Sequence, residues 1–229
     1  NMQGKFEDAE ALEREALTIR RKALGEDHPL AASSLNNVAV SLRSQGKYSE
    51  AEPLFRESIA IQRKRFGNVH QSVAAPLNNL ATTLYYKGDL RAAEPLYREA
   101  LAMRRKTLPA GHVEIADSLI GLAALWSDKR EGKNAEPLAR EALEMLRKAL
   151  PAGHWRIADG ESVLGATLAT ERRFEEAEPL LVGSYQSLRA LRGEREPRTR
   201  LALARLEDLY KAWGKTNYGL TLKSPFRPG

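Results

Sequence analysis

Four histidines, His28, His70, His112 and His154, stand 42 residues apart, and histidine at a fixed interval raises the question of a metal. Geometry argues against one. Zinc ligands lie about 2 Å from the ion, so two ligand atoms must approach within about 4 Å. Equivalent points on successive helical repeats are about 10 Å apart, one helix packing distance. Each histidine precedes an amphipathic segment, where its expected role is to close the loop or the start of a helix. The chain has no Gly-rich loop followed by Lys-Ser or Lys-Thr, no HExxH and no nucleophile elbow. Glu175-Glu176 falls in an early helix turn, where the helix dipole accounts for paired acids. With no cysteine at all, disulfides, thiolate nucleophiles and cysteine-ligated zinc are excluded. Neither catalysis nor a bound metal or cofactor is expected.

The remaining chemistry is recognition. Asparagine recurs in pairs, Asn36-Asn37 and Asn78-Asn79, at one register. An amide donates and accepts at once, so a row of asparagines can pair with a partner's backbone whatever side chains it carries. Asparagine is also a mediocre helix former, which makes its recurrence inside helical stretches a signal.

The elements that must carry these residues follow from one motif. Ala93-Glu94-Pro95-Leu96 recurs as Ala51-Glu52-Pro53-Leu54, Ala135-Glu136-Pro137-Leu138 and Ala177-Glu178-Pro179-Leu180, with a weaker copy at Ala9-Glu10-Ala11-Leu12, each 42 residues from the last. A fixed period of this size marks a solenoid, whose repeats bury their apolar faces against their neighbours. Val73, Leu77, Leu80, Ala81 and Leu84 step by three and four, as do Leu90, Ala93, Leu96, Tyr97, Ala100 and Leu101, so each repeat holds two helices, A and B. Offsetting them predicts helix A at 30–44, 72–86, 114–128, 156–170 and 198–212, and helix B at 6–23, 49–65, 91–107, 133–149 and 175–191. The fold class is therefore all-α, with about ten antiparallel helices.

Local chemistry fits this division. Short turns carrying Gly46, Gly88 and, more loosely, Gly132 join A to B. Pro95 is tolerable if helix B begins near residue 91, since the first-turn N–H groups have no intrahelical partner; Pro76 asks for a start near Ser72, or a kink. Ala39, Ala81, Ala123 and Gly165 on helix A, and Ala9, Ala51, Ala93, Ala135 and Ala177 on helix B, let axes approach closely. Leu42, Leu84, Trp126, Leu168 and Tyr210 are expected to fill the space between.

Leu77, Leu80, Ala81, Leu84, Ala93 and Tyr97 reproduce the tetratricopeptide spacing, W-x-x-L-G-x-x-Y followed by A-x-x-x-F. The eight residues beyond the usual 34 fall between Tyr97 and Leu119, and with HP before helix A and LNNLA inside it the chain resembles the kinesin-light-chain type of tetratricopeptide repeat. That resemblance implies a right-handed α-α superhelix whose concave face, lined by helix A, binds an extended or helical peptide. The positions matching that groove are Ser33, Asn36, Asn37, Val40 and Arg43, then Asn78, Asn79, Thr82 and Tyr85. Ile120-Gly121, Ser162-Val163 and Ala204-Arg205 replace the asparagine pair later on, while Asp117, Asp128, Asp159 and Asp208 alternate with Arg205 and Lys211. The groove is thus mixed in sign, and its first end is the better candidate for gripping a peptide backbone.

Residues 1–214 read as one array: a half repeat over 1–24, repeats near 28–69, 70–111, 112–153 and 154–195, and a last helix over 197–213. The match of Gly4 to Gly46 and Gly88 implies that the chain opens inside a repeat and is part of a longer protein. The tail, 215–229, departs from the repeat; Tyr218, Leu220 and Leu222 alternate as in a strand, and it is expected to cover the last helix A or be disordered, or else to enter a groove as a peptide mimic. The net charge of +6 gathers in clusters such as Arg63-Lys64-Arg65 and Arg104-Arg105-Lys106 at the ends of helices B, where it complements the helix dipole. Without interleaved aromatics it does not suggest nucleic acid. No stretch approaches the ~20 apolar residues of a membrane span. The sequence therefore predicts a cytoplasmic, non-enzymatic scaffold binding a protein or peptide, monomeric or weakly associated through its ends or tail. A regulatory module of a larger kinase or protease and a self-associating array are the alternatives.

Overall fold

The structure, a computed structural model, describes residues 2–215, with side chains from residue 7 onward. The strand, covering, disorder and peptide-mimic readings of the tail lie outside these residues, apart from Lys215. Among the described residues there are ten helices and no strand: α1 (Met2–Leu24), α2 (Pro29–Ser44), α3 (Tyr48–Phe66), α4 (Gln71–Tyr86), α5 (Leu90–Thr107), α6 (Val113–Asp128), α7 (Gly132–Ala149), α8 (Trp155–Thr170), α9 (Phe174–Arg192) and α10 (Pro197–Trp213). The even-numbered helices are the A copies and the odd-numbered the B copies. Every boundary lies within one residue of the sequence expectation except the start of α1, four residues earlier. Each helix packs on its chain neighbours in a right-handed superhelix, and one apolar core runs unbroken from Val38 on α2 to Tyr210 on α10.

The histidines start the A helices. Nδ1 of His28, His70, His112 and His154 accepts the N–H two residues on, from Leu30, Ser72, Glu114 and Arg156, at 3.2 Å in every case. This satisfies one of the amides orphaned at a helix N-terminus. One period further stands Glu196, whose carboxylate does the same for α10, taking the N–H of Arg198 at 2.7 Å and of Thr199 at 3.2 Å.

Each A helix then ends in a left-handed residue that lets the chain reverse. Gly46, Gly88 and Gly214 hold φ of 80°, 86° and 75°, and between them the same register is filled by Arg130 at 61° and Arg172 at 62°. The expectation for Gly132 is thus corrected: the reversing residue is Arg130, and Gly132 is the first residue of α7. Pro53, Pro95, Pro137 and Pro179 are each the sixth residue of a B helix. That is beyond the first turn, so each removes one helical hydrogen bond; all four lie on the solvent side.

The small residues do what close approach requires. Ala39, Ala81, Ala123, Ala51, Ala93, Ala135 and Ala177 are fully buried, and a Cβ on Gly165 would stand 2.7 Å from Cγ of Leu181; Ala9, at the open end of the array, is half-buried. Leu42, Leu84, Leu168 and Tyr210 are buried as expected. Trp126 is not: it is half-buried, its indole N–H pointing out to Oε1 of Glu94 at 3.3 Å and its ring covered by the Arg98 guanidinium at 4.9 Å.

The recurring glutamate of the motif stitches neighbours together. Glu52 takes Arg56 on its own helix at 2.9 Å and Lys87 at 2.7 Å, and Glu94 takes Arg98 at 2.8 Å and Lys129 at 2.9 Å. Glu136 meets Arg140 at 2.6 Å and Arg173 at 2.9 Å, and Glu178 meets Lys215 at 3.0 Å. The basic clusters on the B helices are partly neutralised by the next B helix, through Arg21–Glu57, Arg63–Glu99 at 2.6 Å and Arg105–Glu141 at 2.9 Å.

Candidate functional site

The inner sides of α2, α4, α6, α8 and α10 converge on one cavity of about 350 Å³. It is closed by the curl of the superhelix. Arg205 on α10 donates from Nη2 to the phenol of Tyr85 on α4 at 3.2 Å, although 120 residues separate them, and Tyr85 in turn donates to Asp128 at 2.6 Å.

Six of the nine sequence-selected residues line this cavity: Val40, Arg43, Asn78, Asn79, Thr82 and Tyr85. Ser33, Asn36 and Asn37 lie outside it, on the lip of α2. Ser33 returns its hydroxyl to the Pro29 carbonyl at 3.1 Å, and Asn37 donates to Glu13 on α1 at 3.1 Å; both are exposed. The asparagines inside are committed in part to one another and to their neighbours. Asn79 donates to the Asn36 side chain at 3.0 Å, and Arg43 donates to the Asn79 side-chain oxygen at 3.1 Å and carbonyl at 3.3 Å. Asn78 accepts from the Ser118 hydroxyl at 2.9 Å, which itself accepts from Arg104 at 2.8 Å. Thr82 accepts from the Tyr97 phenol at 3.0 Å. Much of the asparagine row thus also joins one A helix to the next.

Several lining residues escaped the sequence reading. Arg156 pairs with Asp117 at 3.1 Å, and Arg198 with Asp159 at 2.9 Å. The signal was there: an arginine and an aspartate each recurring after 42 residues on the last A helices. Trp155 collects the guanidiniums of Arg156, Arg192 and Arg198 within 5.0 Å of its ring centre. In all, six arginines (Arg43, Arg104, Arg156, Arg192, Arg198 and Arg205) face three carboxylates (Glu114, Asp117 and Asp159) around the cavity.

The enclosure is electrostatically hard. Burial pushes the Tyr86 phenol up to about 12 and raises Tyr85 and Tyr97 further, so all three remain neutral donors at physiological pH. Burial, with Arg198 nearby, lowers Arg43 to about 10, which still leaves it charged. Asp208 and Lys211 belong elsewhere, to an open depression shared with Asp128 and Arg130. Among the described residues no group of three or more His, Asp or Glu side chains is placed to hold a metal, and no helix is long and apolar enough to cross a membrane. The arrangement suits hydrogen bonding and charge recognition, with no nucleophile set beside a base.

The sequence pattern of the tetratricopeptide repeat family matches residues 1–64, 30–106 and 72–151. Among solved structures, BtubC (BKLC) from P. vanneervenii aligns with all of this chain and 80% of its own at 20% identity and a TM-score of 0.62. Nearly identical TPR-like repeats of kinesin-light-chain type from Podosopora anserina align over 83% of this chain and 90% of theirs, at 23% identity and a TM-score of 0.61. YrrB, described as a TPR protein with an unusual peptide-binding site, aligns over 90% and 96% at 15% identity and a TM-score of 0.51. At such identities the likeness is one of fold. A comparison with curated proteins finds no match.

Proposed function

From the premise that this chain belongs to the tetratricopeptide repeat family, we propose that it is a protein-interaction scaffold, with residues 1–214 as one array whose concave face grips an extended segment of a peptide or protein partner. The observation that carries the reading is the convergence of Val40, Arg43, Asn78, Asn79, Thr82 and Tyr85 on one cavity. Asn79 and Thr82 are only half-buried, so each keeps polar surface for a ligand. Val40 supplies an apolar contact between them. Such a mixture of a few fixed polar groups and apolar wall is what orients a bound segment. The reading assigns the chain no catalytic step.

The test is peptide-library binding to wild type, Val40→Arg and Asn37→Ala. Val40 is half-buried at the edge of the core, so circular dichroism first checks that Val40→Arg, which puts a bulky charge into the cavity, still folds. Sequence-selective binding that falls at least tenfold in Val40→Arg and persists in Asn37→Ala places the partner in the cavity. Binding indifferent to Val40→Arg moves the contact to another face.

A further inference from the structure

Two of the six arginines around the cavity make no direct ion pair. Arg43, 8% exposed, gives its hydrogen bonds to Asn79. Arg205, also 8% exposed, gives its own to Ser162 at 3.2 Å and Tyr85 at 3.2 Å, and its Nε is buried without a partner. Among the described residues neither has a carboxylate within the 4.0 Å of an ion pair. The buried Nε of Arg192, which lines the same space, is likewise without a hydrogen bond, while that of Arg104 faces Glu114 at 3.4 Å. A buried cation without an ion-pair partner is costly. The six guanidiniums face Glu114, Asp117 and Asp159 on the cavity wall, with Glu196 behind Arg192 and Arg198 at 3.6 Å and 3.5 Å and Asp128 behind the Tyr85 phenol at 2.6 Å, which leaves one positive charge in excess. The surrounding phenols are neutral donors and do not balance it.

We propose that this cavity binds a small phosphate-bearing anion, with Arg43 on α2 and Arg205 on α10 supplying the guanidinium forks that take its oxygens. Guanidinium matches phosphate geometry through paired N–H donors, and a phosphoryl group carries more charge in a compact volume than a carboxylate does. A space of about 350 Å³ takes a small molecule. The Trp155 ring and the Tyr85 and Tyr86 phenols at its wall offer faces and donors to an organic group attached to the phosphate. Because one fork comes from α2 and the other from α10, the anion would also hold α10 against α2. This ligand differs from the peptide of the scaffold reading and, because both use Arg43 and the same cavity, would compete with it.

The probe is inorganic pyrophosphate, titrated into the whole chain by calorimetry, with potassium chloride at matched ionic strength and a tri-aspartate peptide as parallel arms. The expected result is one saturable site per chain for pyrophosphate, absent with chloride, weakened at least tenfold by Arg205→Gln and by Arg43→Gln and unchanged by Arg105→Gln on the outer face. Arg205→Lys, which keeps the charge but not the fork, should fall between. Circular dichroism identifies any variant that fails to fold; Arg205→Gln and Arg205→Lys then carry the comparison. Wild type without saturable binding above the chloride arm overturns the proposal, as does binding unaffected by the folded Arg205 variants. A response to tri-aspartate with none to pyrophosphate also overturns it, and leaves the scaffold reading standing with an acidic segment as its ligand.

Discussion

The ring of Tyr97 occupies the place a side chain at residue 121 would need: a Cβ built on Gly121 would lie 2.2 Å from Tyr97 Cε1. Position 121 is the register of Asn37 and Asn79 in the two preceding A helices, so the loss of the asparagine pair there goes with the seating of this tyrosine. Gly121→Asn, which restores the repeat, should therefore destabilise the chain by about 1–3 kcal/mol through overpacking. Urea unfolding measures it, and a double-mutant cycle with Tyr97→Ala should show strong coupling, because removing the ring removes the clash.

Arg130 and Arg172 hold left-handed backbone that glycine adopts freely in the other turns. A non-glycine residue there carries a steric penalty of about 1–2 kcal/mol, part of which the extra chain entropy of glycine cancels. Arg130→Gly should raise stability by about 0.5–1 kcal/mol. Arg172→Gly should gain less, since the Arg172 guanidinium lies over the Phe174 ring at 5.7 Å. Thermal melts of the two single variants decide the ranking.

Glu196 takes the fifth place in the histidine series and caps α10 through two amides. Glu196→Ala should cost about 1–2 kcal/mol. Glu196→His, which copies the other four helices, should recover part of that loss. Because α10 carries Arg205, hydrogen exchange in Glu196→Ala should accelerate first in α10 while α4 to α6 keep their protection.

The Glu94 carboxyl is drawn down to about 2 by hydrogen bonds from Lys129 and Arg98, with a smaller one from Trp126. Its folded pKa is below the ordinary 4.5, so its contribution is complete above the unfolded value and is lost as pH falls from about 4.5 towards 2. The chain should lose stability through that window, and Glu94→Gln should be less stable at neutral pH with a flatter acid limb. Melting temperature against pH for both proteins checks the sign. Solvent around the partly exposed partners keeps the effect modest.

Helix positions were legible because the sequence states them redundantly: an apolar stripe, a small-residue seam and a turn, repeated at one interval. The histidines could be placed at helix starts on the same grounds. Glu196 escaped because capping is a matter of an acceptor in the right place, which carboxylate and imidazole both provide, so the residue type changed while the role did not. Trp126 was misplaced because its register is that of a core leucine, yet the indole N–H seeks a polar partner and turns outward to Glu94. Of the asparagines, Asn78 and Asn79 line the cavity and Asn36 and Asn37 do not, because which side chains each one meets depends on neighbouring repeats. The return of α10 to α4 lay furthest from view. It sums small rotations between successive helix pairs, and no local pattern encodes that sum.

The contact of Arg205 with Tyr85 gives the solenoid the mechanics of a spring with a catch. Successive turns are bonded by continuous apolar packing, whereas the two ends of the curl meet here through a hydrogen bond at 3.2 Å. A pull along the axis spreads its strain thinly over every stacked pair but opens the ends directly. The catch should therefore release before any coil yields, widening the cavity while the helices stay folded.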